Sequence, residues 1–192
     1  MINENENNNK NNNKKIVHSL SNERIKELDA LYNRNYPESV RGSMWRYSKD
    51  SNIVNDCFRN HNGKWNKYLE KTYDIDEKEF KNIVHDLDNY HVELVEDTIC
   101  YRGLKEEITN FKVGDTIPDL GYASTSFDKG VAKYYATNKG TVFCLKMKKG
   151  TKGSYIRQNS SRPNEIEFLL PRGSELEIYK INNEVYCILK YI

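Results

Sequence analysis

The sequence lacks the features that mark several broad classes of protein. Its 192 residues carry a net charge of only +2, whereas nucleic-acid binding usually needs a strongly basic surface. No apolar run approaches the length of a membrane-spanning helix, and the N-terminus has no apolar segment of signal-peptide length. We therefore expect a protein without a membrane partner, which acts in the cytoplasm of the producing or infected cell or is delivered by a non-classical route.

Metal-binding and disulfide patterns are also missing. Cys57, Cys100, Cys144 and Cys187 lie far apart and include no Cys-x-x-Cys pair, and the four histidines have no metal-ligand spacing. Each cysteine has apolar or aromatic neighbours in the sequence. We interpret the cysteines as buried free thiols in a reducing compartment, and we expect no bound metal.

The composition changes twice along the chain. Residues 1–15 are mostly Asn, Lys and Glu, and such a segment buries too little to offset its ordering entropy, which predicts a disordered tail. Residues 16–95 carry apolar side chains at helical spacing, whereas residues 96–192 contain short β-rich runs. We predict one α+β domain over residues 16–192, with a helical lobe followed by a β core.

Local signals locate several of the elements. Asp76 and Glu79 predict a helix N-cap with its capping-box partner, and Phe80, Ile83 and Leu87 then form one apolar face. After them, Gly, Pro, Asn and Asp separate short runs rich in β-branched and aromatic residues. The predicted strands cover residues 92–95, 98–102, 121–126, 141–147, 154–156, 165–170, 176–181 and 185–191.

Arg102 begins a series of three motifs that carry chemistry. It ends the apolar run 98–101 and is followed by Gly103. A guanidinium binds phosphate or carboxylate through two parallel hydrogen bonds, and glycine permits close backbone approach. An isolated arginine in this position is more often half of a surface salt bridge, so the assignment depends on the motifs that follow.

The second motif is the serine-rich strand at residues 121–126. Strand alternation puts Ser124 and Ser126 on one face and Thr125 on the other. Small hydroxyl groups leave room for a ligand and can orient neighbouring carboxylates. Because no Gly-x-Ser-x-Gly turn is present and no histidine lies nearby in the sequence, a hydrolase nucleophile is disfavoured. A plain polar edge strand is the alternative.

The third motif is the triplet Glu165-Ile166-Glu167. On a strand, residues two apart point the same way, so we expect both carboxylates on one face and Ile166 on the other. A carboxylate beside an electron-deficient sugar carbon stabilises a transition state of oxocarbenium character. The second carboxylate can then hold a cationic or hydroxylated acceptor.

In this order, the three motifs resemble the R-S-E class of mono-ADP-ribosyltransferases, which includes clostridial and bacillary toxin catalytic domains. Flanking residues add to the resemblance, among them Phe111 with Gly114 and, in the helical part, Asn55 followed four residues later by Arg59. The resemblance implies a helical lobe packed on a mixed or antiparallel core of two β-sheets, with NAD as substrate in the cleft.

The resemblance also implies roles for the motif residues. Arg102 is expected to bind the NAD pyrophosphate. Ser124 is expected to support the nicotinamide ribose and to orient Glu167, which would stabilise the oxocarbenium as nicotinamide leaves. Glu165 is expected to receive the acceptor. The backbone of Gly103 would then face the nicotinamide amide.

Further residues are expected at the edges of the site. Thr125 and Ser126 would shape the pocket, and Asn55 and Arg59 would lie along the adenosine and phosphate side. In the loop after the serine strand, Tyr135 (or Tyr134) and Lys139 are the candidates for nicotinamide and phosphate contacts. The place of the family's aromatic target-recognition residue is held by Arg162, which departs from the pattern.

Glu165 decides the predicted acceptor. Family members that modify asparagine carry Gln at this position, and members that modify arginine carry Glu. A carboxylate attracts and orients a guanidinium and can assist its deprotonation. The resemblance therefore predicts a monomeric, metal-free protein-arginine ADP-ribosyltransferase of phage, viral or bacterial type, acting on a protein target that the sequence does not identify.

Three alternatives remain open from the sequence. An NAD glycohydrolase would use the same chemistry with water as the acceptor. A nucleic-acid acceptor is disfavoured by the near-neutral charge. An inactive NAD-binding module is disfavoured because binding alone would not need the second glutamate.

Overall fold

A computed structural model describes residues 18–105, 107 and 110–190. The predicted tail, residues 1–15, lies outside the described residues, and a single domain over residues 16–192 stays a prediction. The helices are α1 (Asn22–Tyr32), α2 (Glu38–Lys49), α3 (Asn52–Asn60), α4 (Lys67–Tyr73), α5 (Glu77–Asn89) and α6 (Lys129–Ala136). The strands are β1 (Val92–Glu93), β2 (Thr98–Leu104), β3 (Thr116–Asp119), β4 (Ala123–Ser126), β5 (Thr141–Met147), β6 (Lys152–Tyr155), β7 (Glu167–Leu170), β8 (Ser174–Ile181) and β9 (Val185–Lys190).

Two helix N-termini show how local sequence sets the helices. Asp76 caps α5 by accepting a hydrogen bond from the backbone N–H of Glu79 at 2.7 Å, as predicted. α6 was not predicted, and its first turn is capped by Asp128, which accepts from the N–H of Gly130 at 2.7 Å. α6 is only eight residues long, so its apolar pattern is too short to stand out from a loop.

The strands form one mixed sheet in the order β1-β6-β7-β4-β2-β5-β9-β8-β3. Only the β5–β9 pair is parallel among the described strand pairs. The two separate sheets expected from the resemblance are not seen among the described strands. A single registered pair, Tyr101 with Ser126, joins β2 to β4, and this pair makes the hydrogen bonding continuous across all the strands.

The last strand in this order, β3, was interpreted from the sequence as a turn because it contains Pro118. Proline has no N–H to donate, so it is tolerated at a sheet edge, where one side of the strand needs no partner. Here β3 pairs only with β8 among the described strands, with Pro118 opposite Glu175.

Two hydrophobic clusters attach the helices to the sheet. α1 contributes Leu28 and Tyr32, and the Tyr32 ring stacks on Phe127 with centroids 5.8 Å apart. α2, α3 and α5 pack together against Tyr122, which precedes β4, and against Leu169 on β7. All four cysteines are buried and free, as predicted. No helix in the part of the chain that the structure describes has the length and apolarity that a bilayer crossing requires.

Candidate active site

A cavity of about 430 Å³ opens between the end of α2 and strands β2, β4 and β7. Its volume lies in the usual range for small-molecule sites. It brings together most of the side chains that the sequence singled out, from elements far apart in the chain. The predicted residues that line it are Arg102, Gly103, Ser124, Thr125, Ser126, Tyr135, Glu165 and Glu167.

Arg102 lies on β2, with a side chain that is 17% exposed. One guanidinium nitrogen donates to the backbone oxygen of Ser124 at 2.9 Å, and the other lies 3.4 Å from Asp119. Burial lowers the pKa of Arg102, and the nearby Asp119 carboxylate opposes this effect. The result is a cation fixed at the wall of the cavity, as an anion-binding role requires.

The structure gives a steric reason for glycine at position 103, which the sequence did not reveal. A Cβ at this position would lie 2.0 Å from the backbone oxygen of Ala132 on α6. Only glycine therefore allows α6 to pack directly on β2 at the edge of the cavity. α6 in turn carries Tyr135, which lines the cavity opposite β2.

The hydroxyl groups of β4 stabilise the strand that carries Glu167. Ser126 and Glu167 are registered partners on the antiparallel pair β4–β7. Thr125 donates to the backbone oxygen of Phe168 at 2.5 Å, and Ser126 donates to the backbone oxygen of Glu165 at 2.6 Å. These two side chains therefore hold the glutamates in place, in addition to lining the cavity.

The prediction that Glu165 and Glu167 lie on one face of the same strand is wrong, because Glu165 is not in a strand. Residues Pro163–Glu165 form a 3₁₀ turn, and β7 begins only at Glu167. Ile166, between them, adopts the left-handed conformation with φ 48° and ψ 50°, so strand alternation does not apply. Proline at the start of the turn disfavours a continuous strand. Both carboxylates nevertheless line the same cavity.

The backbone between the two glutamates is strained at Ile166. A β-branched residue rarely adopts a positive φ, at a cost on the order of 1–3 kcal/mol. The Ile166 side chain is 1% exposed and belongs to the hydrophobic cluster under α1. This burial offsets the strain of the backbone between the two carboxylates.

Glu167 is the most perturbed carboxylate of the cavity. Its side chain is buried, and burial raises its pKa to about 7. A hydrogen bond from Ser124 lowers the pKa, the negative charge of Glu165 raises it, and the positive charge of Arg102 lowers it. A carboxylate that is costly to ionise in the free protein is well suited to neutralise positive charge that develops beside it.

The raised pKa predicts a pH-dependent stability. Below pH 4.5 Glu167 is protonated in both folded and unfolded states, and between pH 4.5 and 7 only the unfolded state ionises. Wild-type stability should therefore fall over this interval by on the order of 3 kcal/mol relative to Glu167→Gln. Urea unfolding of both proteins from pH 4 to 8 measures the difference, and a difference independent of pH would contradict the prediction.

Glu165 belongs to a polar cluster at the mouth of the cavity. The Tyr135 hydroxyl donates a short hydrogen bond to Glu165, and Arg162 donates to the same hydroxyl at 3.2 Å. The Arg162 guanidinium also lies 3.6 Å from the Glu165 carboxylate. Burial raises the pKa of Glu165, and Tyr135 and Arg162 both lower it. Glu165 thus already holds a guanidinium within the chain.

Tyr47 is a cavity residue that sequence reasoning missed. It is fully buried, accepts a hydrogen bond from the Asn55 amide at 3.0 Å, and lies 3.5 Å from the Ser124 hydroxyl. Its position inside α2 gave it the spacing of an ordinary core residue, so no local signal distinguished it. The other cavity residues without a predicted lining role are residues 48–52, Tyr101, Lys105, Val131, Ala132 and Arg162.

Asn55, Arg59 and Lys139 are not among the described residues that line the cavity. Asn55 accepts from the N–H of Tyr122 at 2.8 Å, and Arg59 donates to the oxygen of Tyr122 at 3.1 Å. Their four-residue spacing on α3 thus clamps one residue of the chain that enters β4. Lys139 is exposed in the turn after α6. Contacts of these three side chains with a ligand stay predictions.

Within the described ranges, no group of three or more His, Cys, Asp and Glu side chains is placed to hold a metal ion. The expectation of a metal-free reaction stays a prediction. The cavity itself is built from arginine, glutamate, hydroxyl and aromatic side chains.

Sequence comparison finds relatives of this chain. A model of the ADP-ribosyltransferase exoenzyme family matches residues 38–189. The protein NAD(+)--arginine ADP-ribosyltransferase EFV of Enterococcus faecalis is 32% identical in an alignment of 142 residues, and the match covers 69% of this chain and 29% of that protein. The chain therefore spans less than a third of that relative's length.

Structure comparison identifies the same fold. C3stau2 from S. aureus, solved with NAD, has a TM-score of 0.63 at 18% identity over 82% of this chain and 89% of its own. The C3 exoenzyme of Clostridium limosum has a TM-score of 0.63 at 19% identity over 86% and 91%. The α+β ADP-ribosyltransferase fold is confirmed, and the chain belongs to the ADP-ribosyltransferase exoenzyme family.

Proposed function

We propose that this protein cleaves NAD at the nicotinamide–ribose bond and transfers ADP-ribose to an arginine side chain of a target protein. The observation that supports arginine as the acceptor is the position of the Arg162 guanidinium beside Glu165. A carboxylate of the cavity thus has room for a guanidinium next to it. The name of the Enterococcus faecalis relative refers to the same acceptor. NAD is the substrate that supplies the ADP-ribose.

The cavity is suited to a dinucleotide. Its volume of about 430 Å³ and its openness to solvent along α2 fit a ligand that is only partly enclosed. Arg102 supplies a buried positive charge for the pyrophosphate. Ser124, between Arg102 and Glu167, supplies a hydroxyl group for the ribose.

Glu167 is the residue that we assign to bond cleavage. As nicotinamide departs with the bonding electrons, positive charge develops on the ribose ring, and a carboxylate next to that ring stabilises it. The low exposure of Glu167 strengthens this interaction because little water screens it. The nearby Ser124 hydroxyl lowers the pKa of Glu167, which favours the charged form that this role requires.

Glu165 is the residue that we assign to the acceptor. Its carboxylate orients an incoming guanidinium and takes up the proton that the nucleophilic nitrogen loses when its bond to the ribose carbon forms. Tyr135 holds Glu165 on the side of α6. Arg162 must leave this carboxylate, or share it, when an external arginine enters.

The Arg162 contact predicts an effect on acceptor affinity. Arg162→Ala should lower KM for an arginine analogue such as agmatine by about two- to fivefold, because an exposed ion pair contributes little and its removal frees Glu165. Initial rates of transfer at pH 8 measure the change. Arg24→Ala, which removes another exposed ion-pairing arginine, is the matched control, and a higher KM for Arg162→Ala would refute competition.

The proposed function is tested by incubating the protein with labelled NAD and a cell lysate. Mass spectrometry of the labelled proteins should find ADP-ribose on arginine. A parallel incubation with NAD alone measures hydrolysis, and nicotinamide release as fast as in the presence of acceptor would favour the glycohydrolase. Label on nucleic acid, or on another amino acid, would overturn the assignment of the acceptor.

A further inference from the structure

Asp119 joins two arginines behind the wall of the cavity. Its carboxylate lies at the end of β3 and is 16% exposed. Two nitrogens of Arg59 donate to its two oxygens at 2.9 Å each, and Arg102 approaches one of the same oxygens at 3.4 Å. The N–H of Gly121 also donates to it at 3.1 Å. The sequence motifs did not include Asp119.

The Arg59 side chain is 34% exposed, but one side of its guanidinium is bound to the protein. Besides its two bonds to Asp119, it donates to the backbone oxygen of Tyr122. A Cβ on Gly121 would lie 3.1 Å from Arg59 Nε and 2.5 Å from Asn55 Oδ1, so the backbone approaches these side chains closely. These contacts use Nε and one terminal nitrogen of the Arg59 guanidinium and fix its position against Asp119.

Arg102 is held from behind by the same carboxylate. Of the described residues, Arg102 lines the cavity and Asp119 does not. The Arg102 guanidinium is therefore anchored by Asp119 and by the Ser124 oxygen, while its remaining donors are available to the cavity. Asp119 is therefore placed to position Arg102. It is not placed to compete with an anionic ligand for Arg102.

Electrostatics support the same interpretation. Arg59 lies close enough that its charge lowers the pKa of Arg102, and Asp119 acts in the opposite direction. Without Asp119, two nearby guanidinium groups would face each other with no carboxylate between them. Arg102 would then keep only the Ser124 oxygen as an anchor, and the repulsion would favour other positions of its guanidinium.

We infer that Asp119 is a positioning residue, which with Arg59 presets Arg102 for the pyrophosphate of NAD. This inference rests on the proposed function for the identity of the ligand. Asp119 acts through Arg102, since Asp119 itself is not among the residues that line the cavity. The arrangement would lower the cost of binding because the cationic fork needs no reorganisation when the pyrophosphate arrives.

The test compares wild type with Asp119→Asn, Asp119→Ala and Arg59→Gln. Each variant should raise both the Kd and the KM for NAD by about tenfold, because the charge-assisted bonds that orient Arg102 are lost. The kcat at saturating NAD should stay within about twofold, since binding and not bond cleavage is affected. Asp97→Asn, which removes a surface carboxylate paired with Lys148, is the matched control and should leave Kd unchanged.

The double variant Asp119→Asn/Arg59→Gln should bind NAD as weakly as either single variant, because the two residues act as one unit. Equilibrium titration with NAD measures binding without turnover, and the melting temperature shows that each variant is folded. A folded Asp119→Asn protein with an unchanged or lower Kd would overturn the inference alone. A wild-type protein that binds no NAD would overturn the proposed function together with it.

Discussion

Replacing Glu167 with glutamine is expected to lower the rate of nicotinamide release from NAD by about 10²–10³-fold, the usual effect of removing one preorganised electrostatic contact. Glutamine has nearly the same shape and can still accept the Ser124 hydrogen bond, but it carries no negative charge. The buried position of Glu167 means that water does not replace the lost charge. Single-turnover measurement of nicotinamide release at pH 8 gives the rate directly.

The effect should be confined to the reaction rate. Because Arg102 and its anchors are untouched, the Kd for NAD should change by less than about threefold. Glu177→Gln is the matched control, since Glu177 is also the second glutamate of a Glu-x-Glu pair but forms a surface ion pair with Lys190 on β9. Transfer by Glu167→Gln at a rate close to that of wild type would show that the catalytic assignment is wrong.

Replacing Glu165 with glutamine is expected to separate the two halves of the reaction. Transfer to agmatine should fall by about 10²–10⁴-fold, the range for loss of a positioned general base. Hydrolysis of NAD should stay within a few-fold, because Glu167, Ser124 and Arg102 are unchanged. The ratio of ADP-ribosyl-agmatine to free ADP-ribose, measured by chromatography in one reaction, reports the separation.

A suitable control keeps the cluster at the mouth of the cavity intact. Glutamine at position 165 can still accept the hydrogen bond from Tyr135, so the position of α6 should be preserved. Tyr135→Phe removes that bond while leaving the carboxylate, and it should reduce transfer much less than Glu165→Gln does. Equal losses of transfer and hydrolysis in Glu165→Gln would refute a specific role for Glu165 with the acceptor.

The two glutamates owe their different environments to the turn between them. Glu165 ends a 3₁₀ turn that Ser126 holds, and it is 15% exposed at the mouth of the cavity. Glu167 lies on β7 and is buried. A regular strand would have given both carboxylates similar surroundings. The left-handed Ile166 thus separates a carboxylate at the mouth of the cavity from one that is shielded from water.

Much of the β half was predictable because its signals are local. The prediction of residues 141–147 coincides with β5, and the prediction of 185–191 agrees with β9 as far as residue 190, where the described part of the chain ends. The strand at residues 165–170 was predicted two residues too long, since a period of two gives no sign of a left-handed residue. β3 was missed because the position of Pro118 at a sheet edge depends on which strands pair.

The candidate site was predictable to the extent that its chemistry lies in short motifs. Arg102, Ser124, Glu165 and Glu167 were identified by type and order, and all four line one cavity. Tyr47 and Asp119 were not identified, because each acquires its neighbours from other elements of the fold. Whether Arg59 meets the ligand or only supports Arg102 was equally invisible from its spacing with Asn55.

The sequence by itself determined the fold class, the order of the three motifs and the resemblance that predicted the family, because periodicity, capping and motif order are properties of neighbouring residues. The tertiary structure decided that the strands form one sheet, that a turn separates Glu165 from Glu167, and that Asp119 links Arg59 to Arg102. These features depend on contacts between residues distant in the chain, and burial and charge at such contacts follow only from packing.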